Sequence, residues 1–315
     1  MIFPPALKLG DTIGLIAPSS PVPADRVEAC KALLESWGYK VKEGNGIYSA
    51  LHGYLAGPAP ARAADINAMF ADPAVKAIFC LRGGDGSCQV MDKLDLRIIR
   101  SNPKIFVGYS DITNFHVFLN QQAGLVTFHG PMVSANMLED YDEFTKESFE
   151  AALALGNKGS LELKNPEGEP FKALRFGQAE GTIAGGNLSL ICSMLGTPYE
   201  INTKGRILFI EDVDETTWHV DRMLYHLKYS GKLDQAAGVI VGDFGGQSNP
   251  RDPGYLVEEL LRDFFTGYNK PVIYNVKSGH CIPLSTIPLG TVCSMETGKI
   301  SAAGGEEPKI VFRWP

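Results

Sequence analysis

The sequence predicts an α/β protein of two domains, the first built on a parallel sheet. Three observations predict it. Short β-branched and aromatic runs alternate with helices that keep apolar residues on one face, the pattern of βαβ units. Two polar, turn-rich stretches, Gly156-Asn157-Lys158-Gly159 and Asn165-Pro166-Glu167-Gly168-Glu169-Pro170, interrupt that alternation near the middle of the chain. The 315 residues, 44% of them hydrophobic, suffice for two cores of ordinary size.

In chain order, Thr12 to Ala17 reads as a strand, ended by Pro18-Ser19-Ser20-Pro21. A helix follows, with Val27, Cys30, Leu34 and Trp37 at helical spacing on one face. Gly38-Tyr39-Lys40-Val41 opens a second strand. Pro58 to Phe70 is a second helix, with Ala64, Ala68 and Phe70 toward the core. Lys76 to Leu81 is a third strand that runs into Arg82-Gly83-Gly84-Asp85-Gly86, and Val90, Met91 and Leu94 mark a short helix. Ile105-Phe106-Val107 is a strand broken by Gly108, after which Ile112, Phe115 and Leu119 fall at helical spacing. Leu125 to Phe128 stops at His129-Gly130-Pro131.

Beyond the break, glycine-rich Gly181 to Asn187 precedes an apolar helix, Leu188 to Leu195, closed by Gly196-Thr197-Pro198. Arg206 to Ile210 is a strand that stops in Glu211-Asp212-Val213-Asp214-Glu215. Val220, Met223, Leu224 and Leu227 define one face of the next helix. Gly238 to Phe244 is a strand, Tyr255 to Phe265 a helix, and Val272 to Val276 a strand leading to Ser278-Gly279-His280. Short strands complete the chain.

Composition removes several function classes. The formal net charge is −7 and no long basic run occurs, so no nucleic-acid footprint is expected. No apolar run reaches transmembrane length, and Met1-Ile2-Phe3-Pro4-Pro5 lacks the charged and apolar regions of a signal peptide. The six cysteines, Cys30, Cys80, Cys88, Cys192, Cys281 and Cys293, form no C-x-x-C pair and read as reduced, mostly buried thiols of a cytoplasmic protein.

The chemistry concentrates where strands end. In parallel sheets ligands gather at the carboxyl ends of the strands, which is where Ser110 and the Gly83-Gly84 turn fall. Ser110 sits in a tight strand-to-helix turn. Such a turn presents a hydroxyl above free N–H groups and suits a nucleophile; the competing reading makes Ser110 a helix N-cap. The motif is not G-x-S-x-G, because Ile112 stands in place of the second glycine. The Arg82 to Gly86 loop is open to three uses: a phosphate cradle, a plain turn, or an N–H donor to an oxyanion beside Ser110. It matches neither dinucleotide nor Walker fingerprint. The acidic run from Glu211 reads either as a divalent-cation site or as a solvated loop, though Glu211 follows an apolar strand directly and is placed to orient a histidine. Of six histidines, His116 and His226 lie in amphipathic helices as structural residues. His52 and His219 lie in polar surroundings without an evident partner. His129 and His280 both follow a strand and adjoin glycine, and the residues alone leave the base role open between them.

Taken together, Ile16-Ala17-Pro18-Ser19-Ser20-Pro21, Arg82-Gly83-Gly84, Gly108-Tyr109-Ser110-Asp111, Gly185-Gly186-Asn187-Leu188, Phe209-Ile210-Glu211-Asp212, Asp221-Arg222-Met223-Leu224 and Gly279-His280 resemble, in order, the motifs of the LD-carboxypeptidase family of serine peptidases. That family includes murein tetrapeptide carboxypeptidases and the microcin C self-immunity protein. The resemblance implies a flavodoxin- or Rossmann-like parallel-sheet domain over residues 1–160 carrying the nucleophile Ser110. It implies a smaller β-rich domain of swivelling β/α type over 172–315 carrying Glu211 and His280. It further implies a Ser110–Glu211–His280 triad and an oxyanion hole from the backbone N–H groups of Gly84 and Asp111. It implies no metal or other cofactor, a homodimer, and a cytoplasmic place in murein recycling, with neither nucleic acid nor membrane as partner. The expected reaction is hydrolysis of the amide to a C-terminal D-alanine in murein tetrapeptide. Cleavage of an aminoacyl or peptidyl nucleotide is the alternative within the family, with Trp218 or Trp314 available to stack on a base. A non-catalytic two-domain ligand-binding protein is the alternative outside it. The chain departs from the family pattern at Asp85, where an aromatic residue is expected.

Overall fold

The computed structural model describes residues 1–298 and 307–314. The chain divides into two compact units. The first comprises Met1–Lys158 with Thr286–Gly290, and the second Gly159–Ser285 with the chain from Thr291 onward.

In the first unit β1 (Thr12–Ile16), β2 (Lys40–Glu43), β3 (Val75–Cys80), β4 (Ile105–Gly108) and β5 (Thr127–His129) pair in parallel, in the spatial order β5-β4-β3-β1-β2. Helices Ala24–Ser36 and Ala59–Ala71 make the first two crossovers. A parallel sheet covered on both faces needs strands that are apolar throughout rather than alternating. Accordingly Ile105, Phe106 and Val107 are fully buried, with the Phe106 ring against Phe70 and Phe115. The edge strand β2 carries Lys40 and Lys42 and is exposed or half-exposed along its length, which discourages further strand pairing.

The opposite edge is closed differently from the sequence expectation, which gave every strand after His280 to the second domain. Instead β12 (Ile287–Leu289) pairs antiparallel with β5 and belongs to the first unit. Ile287 and Leu289 are both fully buried there, so the detour covers an open sheet edge and adds core at once.

The second unit holds β6 (Ser160–Glu162), β7 (Lys172–Arg175), β8 (Gln178–Asn187), β9 (Ile207–Val213), β10 (Gly238–Gly245), β11 (Val272–Tyr274), β13 (Val292–Glu296) and β14 (Lys309–Arg313). They form one mixed sheet in the order β6-β14-β13-β8-β9-β10-β11-β7. Its centre, β8 to β11, is parallel, and antiparallel strands flank it on both sides. The glycine-rich segment before the helix is the end of the ten-residue strand β8. The reason lies at Gly185: φ is +150°, and a Cβ there would stand 1.8 Å from the Phe209 carbonyl oxygen. Glycine here marks close approach of two backbones rather than a turn. The helix that follows is shorter than expected, Leu188–Ser193.

All six cysteines are free, four of them buried, with Cys88 exposed and Cys281 half-buried. Among the described residues no helix is long and apolar enough to cross a membrane.

Candidate active site

Each unit gathers polar side chains at the carboxyl ends of its parallel strands. In the first unit, β4 ends at Gly108, Tyr109 is extended, and Ser110 takes φ +65° before one 3-10 turn, Ser110–Ile112, leads into helix Thr113–Phe118. An N-cap serine has extended dihedrals and accepts a backbone N–H. Ser110 does neither: Tyr109 occupies the cap position and no side-chain cap bond forms. A left-handed non-glycine residue is strained by about 1 kcal/mol or more, so its surroundings must hold it.

Those surroundings are built from three loops. Gly83 backs directly onto the serine: a Cβ on Gly83 would lie 2.9 Å from Ser110 Cβ, 3.1 Å from its Oγ and 3.2 Å from the Asp111 backbone nitrogen. The buried Asp111 carboxylate accepts the Ser87 N–H at 2.9 Å and the Ser87 hydroxyl at 2.8 Å, tying the end of the glycine loop to the serine turn. Burial pushes the Asp111 carboxyl above its usual range, and the bonds from Ser87 oppose that shift. Arg62 is 2% exposed and donates to the carbonyls of Pro18 at 2.7 Å, Gly86 at 2.8 Å and Gly57 at 3.1 Å, and to Gln89 Oε1 at 2.8 Å. One guanidinium fork thereby ties three loops together. Beneath the turn, His116 Nε2 lies 2.7 Å from the Gly108 carbonyl oxygen and Nδ1 lies 2.9 Å from Thr127 Oγ1. Burial lowers His116 to about 4, so it is a neutral structural imidazole.

In the second unit the apolar strand β9 continues into Glu211, whose side chain is fully buried. Glu211 Oε2 lies 2.8 Å from His280 Nδ1, and the histidine side chain retains 18% exposure. Burial raises the Glu211 carboxyl, with the His280 hydrogen bond and charge opposing. For His280 burial acts downward, but the hydrogen bond and charge of Glu211, with Asp212 and Asp243, outweigh it and the imidazole is raised. Both shifts say that the pair holds a proton more firmly than an isolated histidine does.

The neighbouring acid has another task. Asp212 accepts Asn187 Nδ2 at 2.9 Å, the Ser189 N–H at 2.9 Å and the Ser189 hydroxyl at 2.6 Å, fastening the start of helix Leu188–Ser193 to β9. Glu215 pairs with His219 at 2.9 Å, so that histidine has the partner the sequence did not reveal. The acidic run is thus divided among separate bonds, and among the described residues no three His, Cys, Asp or Glu side chains are grouped to hold a metal. His129 lies in β5, fully buried in the first unit against Tyr109 and His116. His226 is exposed on its helix rather than packed.

Of the expected site residues, then, Glu211 and His280 are brought together across 69 positions of sequence. In the first unit Ser110 and Asp111 lie against Gly83, the residue that precedes Gly84. Sequence reasoning missed Arg62, whose helix position looks like any solvated one, and Ser87, which no motif flags.

Comparison with known proteins covers both units. Residues 13–130 match the model of the LD-carboxypeptidase N-terminal domain and residues 180–295 that of the LD-carboxypeptidase C-terminal domain. A probable murein peptide carboxypeptidase of Bacillus subtilis is 42% identical over 301 residues, 95% of this chain and 93% of that protein. The solved structure of a muramoyltetrapeptide carboxypeptidase from Oxalobacter formigenes superimposes with a TM-score of 0.82 at 28% identity, covering 96% of this chain and 99% of the other. The microcin C7 self-immunity protein MccF, known from Escherichia coli, is 27% identical over 321 residues, 92% of each chain. A solved structure of MccF superimposes with a TM-score of 0.87 at 26% identity, covering 99% of this chain and 98% of the other.

Proposed function

This chain belongs to the LD-carboxypeptidase family of serine peptidases, and from that premise we propose that it removes a C-terminal D-alanine from L,D-linked murein tetrapeptide through Ser110, His280 and Glu211. The observation that carries the reading is the 2.8 Å bond between a fully buried carboxylate and a partly open imidazole. It commits Nδ1 to Glu211, which fixes the tautomer and leaves proton transfer to Nε2.

In this reading His280 takes the Ser110 proton as Oγ attacks the scissile carbonyl. The N–H groups of Gly84 and Asp111 donate to the oxyanion. The tetrahedral intermediate collapses, the imidazolium gives its proton to the leaving amine, and D-alanine departs. A water, deprotonated by His280, then attacks the acyl-Ser110 ester, and Ser110 recovers its proton as the acid product leaves. Glu211 stays ionised throughout and stabilises the imidazolium.

The likeness to MccF keeps a second substrate in play, an acyl-sulfamoyl nucleoside, since MccF has been solved with aspartyl sulfamoyl adenosine. In this chain the Arg251 guanidinium covers one face of Trp218, 4.5 Å from the ring centroid, so that face is not free to stack on a base. Purified protein given both an L,D-tetrapeptide and aspartyl sulfamoyl adenosine is expected to release D-alanine with the higher kcat/KM. A higher kcat/KM for the nucleoside would transfer the assignment to the immunity-type reaction.

A further inference from the structure

The glycine turn beside Ser110 is held from one side by a single residue. The Ser20 N–H donates to the Gly83 carbonyl at 3.2 Å. The Ser20 hydroxyl accepts the Asp85 N–H at 3.0 Å and donates to the Tyr54 carbonyl at 2.7 Å. Ser20 is 7% exposed, and its Oγ lies only 2.2 Å from where a Cβ on Gly84 would stand. The serine side chain therefore fills the space that Gly84 leaves empty.

These bonds fix the peptide planes on both sides of Gly84. A trans peptide is planar, and its C=O and N–H point in opposite directions. With the Gly83 carbonyl turned onto Ser20, the Gly84 N–H of the same plane points away from Ser20. The preceding residue, Gly83, packs against Ser110 and the Asp111 nitrogen. The next plane is pinned through the Asp85 N–H. Between them Gly84 takes φ +106°, in the region that glycine alone enters freely. Two consecutive glycines would otherwise let the Gly83-Gly84 plane flip, and a flip would present a carbonyl where a donor is needed.

We propose that Ser20 is a positioning residue that holds the Gly84 N–H in place as an oxyanion donor for Ser110. The proposal rests on the roles given to Ser110 and Gly84 above. Ser20→Ala keeps the backbone bond and removes the hydroxyl. It is expected to lower kcat for D-alanine release about tenfold, short of the roughly 10²–10³ lost with a whole donor, while KM stays within about twofold. Ser20→Thr retains the hydroxyl and is expected to stay within about threefold of wild type. A boronic-acid analogue that forms a tetrahedral adduct should bind Ser20→Ala about tenfold more weakly, in parallel with kcat. Tetrapeptide affinity should be the same for Ser110→Ala and for the Ser20→Ala/Ser110→Ala double variant. A merely structural role would not separate these two readouts.

Wild-type kcat in Ser20→Ala, or a loss confined to KM, overturns the proposal. A folded Ser20→Thr below a tenth of wild-type kcat also overturns it, and serves as the test should Ser20→Ala not fold. Undiminished D-alanine release by Ser110→Ala would instead overturn the reading on which the proposal rests.

Discussion

Replacing Ser110 by alanine is expected to lower kcat/KM for D-alanine release by about four orders of magnitude or more, with little change in folding. The size follows from the chemistry: without Oγ no acyl-enzyme forms, and only binding and the oxyanion donors remain to act on an attacking water. The small effect on folding follows from the structure. Among the described residues the Ser110 hydroxyl makes no hydrogen bond, while the turn is held by Asp111, Ser87 and Arg62. The variant keeps the left-handed backbone with its cost and loses only the half-buried hydroxyl. Kinetics on the L,D-tetrapeptide together with a thermal melt separate the two effects. A Ser110→Ala protein that turns over at the wild-type rate would remove the serine from the mechanism.

Glu211→Gln is expected to have the second largest effect, lowering kcat by about 10⁴-fold and moving the pH profile. A Gln amide can present its NH₂ to Nδ1, which favours the tautomer that protonates Nε2, and it cannot stabilise an imidazolium. The sign of the pH effect comes from the causes of the His280 shift. Burial pushes the imidazole down and the Glu211 hydrogen bond and charge lift it to a net rise above its ordinary 6.5. His280 acts as a base only when neutral, so the acid limb of kcat/KM in the wild type lies above pH 6.5 and activity falls as pH drops through it. With Gln the lifting charge is gone and burial remains, so the limb of the residual activity moves to lower pH. The residual rate measured from pH 5 to 9 in both proteins decides it; a limb that stays in place would detach Glu211 from His280.

The sequence made some of this legible and hid the rest for identifiable reasons. The strand at Ile105-Phe106-Val107 and the break at Gly108 announced the Ser110 turn. Its left-handed φ was not readable, because a serine before a helix more often caps it. The role of Gly185 was not readable because glycine signals both turns and close backbone approach, and only the neighbouring strand decides which. The expected domain 172–315 does not show that β12 joins the first unit, since three residues carry no mark of the edge they join. His280 and His129 looked equivalent until a carboxylate 69 residues away was seen against one of them. Arg62 gave no signal, as its role depends on three loops that converge only in the fold. The pairing of His219 with Glu215 was readable in principle, being a four-residue spacing at a helix start.

Labelling with a fluorophosphonate probe, followed by peptide mass spectrometry and a parallel assay of D-alanine release, tests the central claim most directly. The expected result is one adduct, on Ser110, with release lost in proportion to labelling and labelling slowed by the tetrapeptide. Release of D-alanine that persists after Ser110 is fully modified would contradict the account.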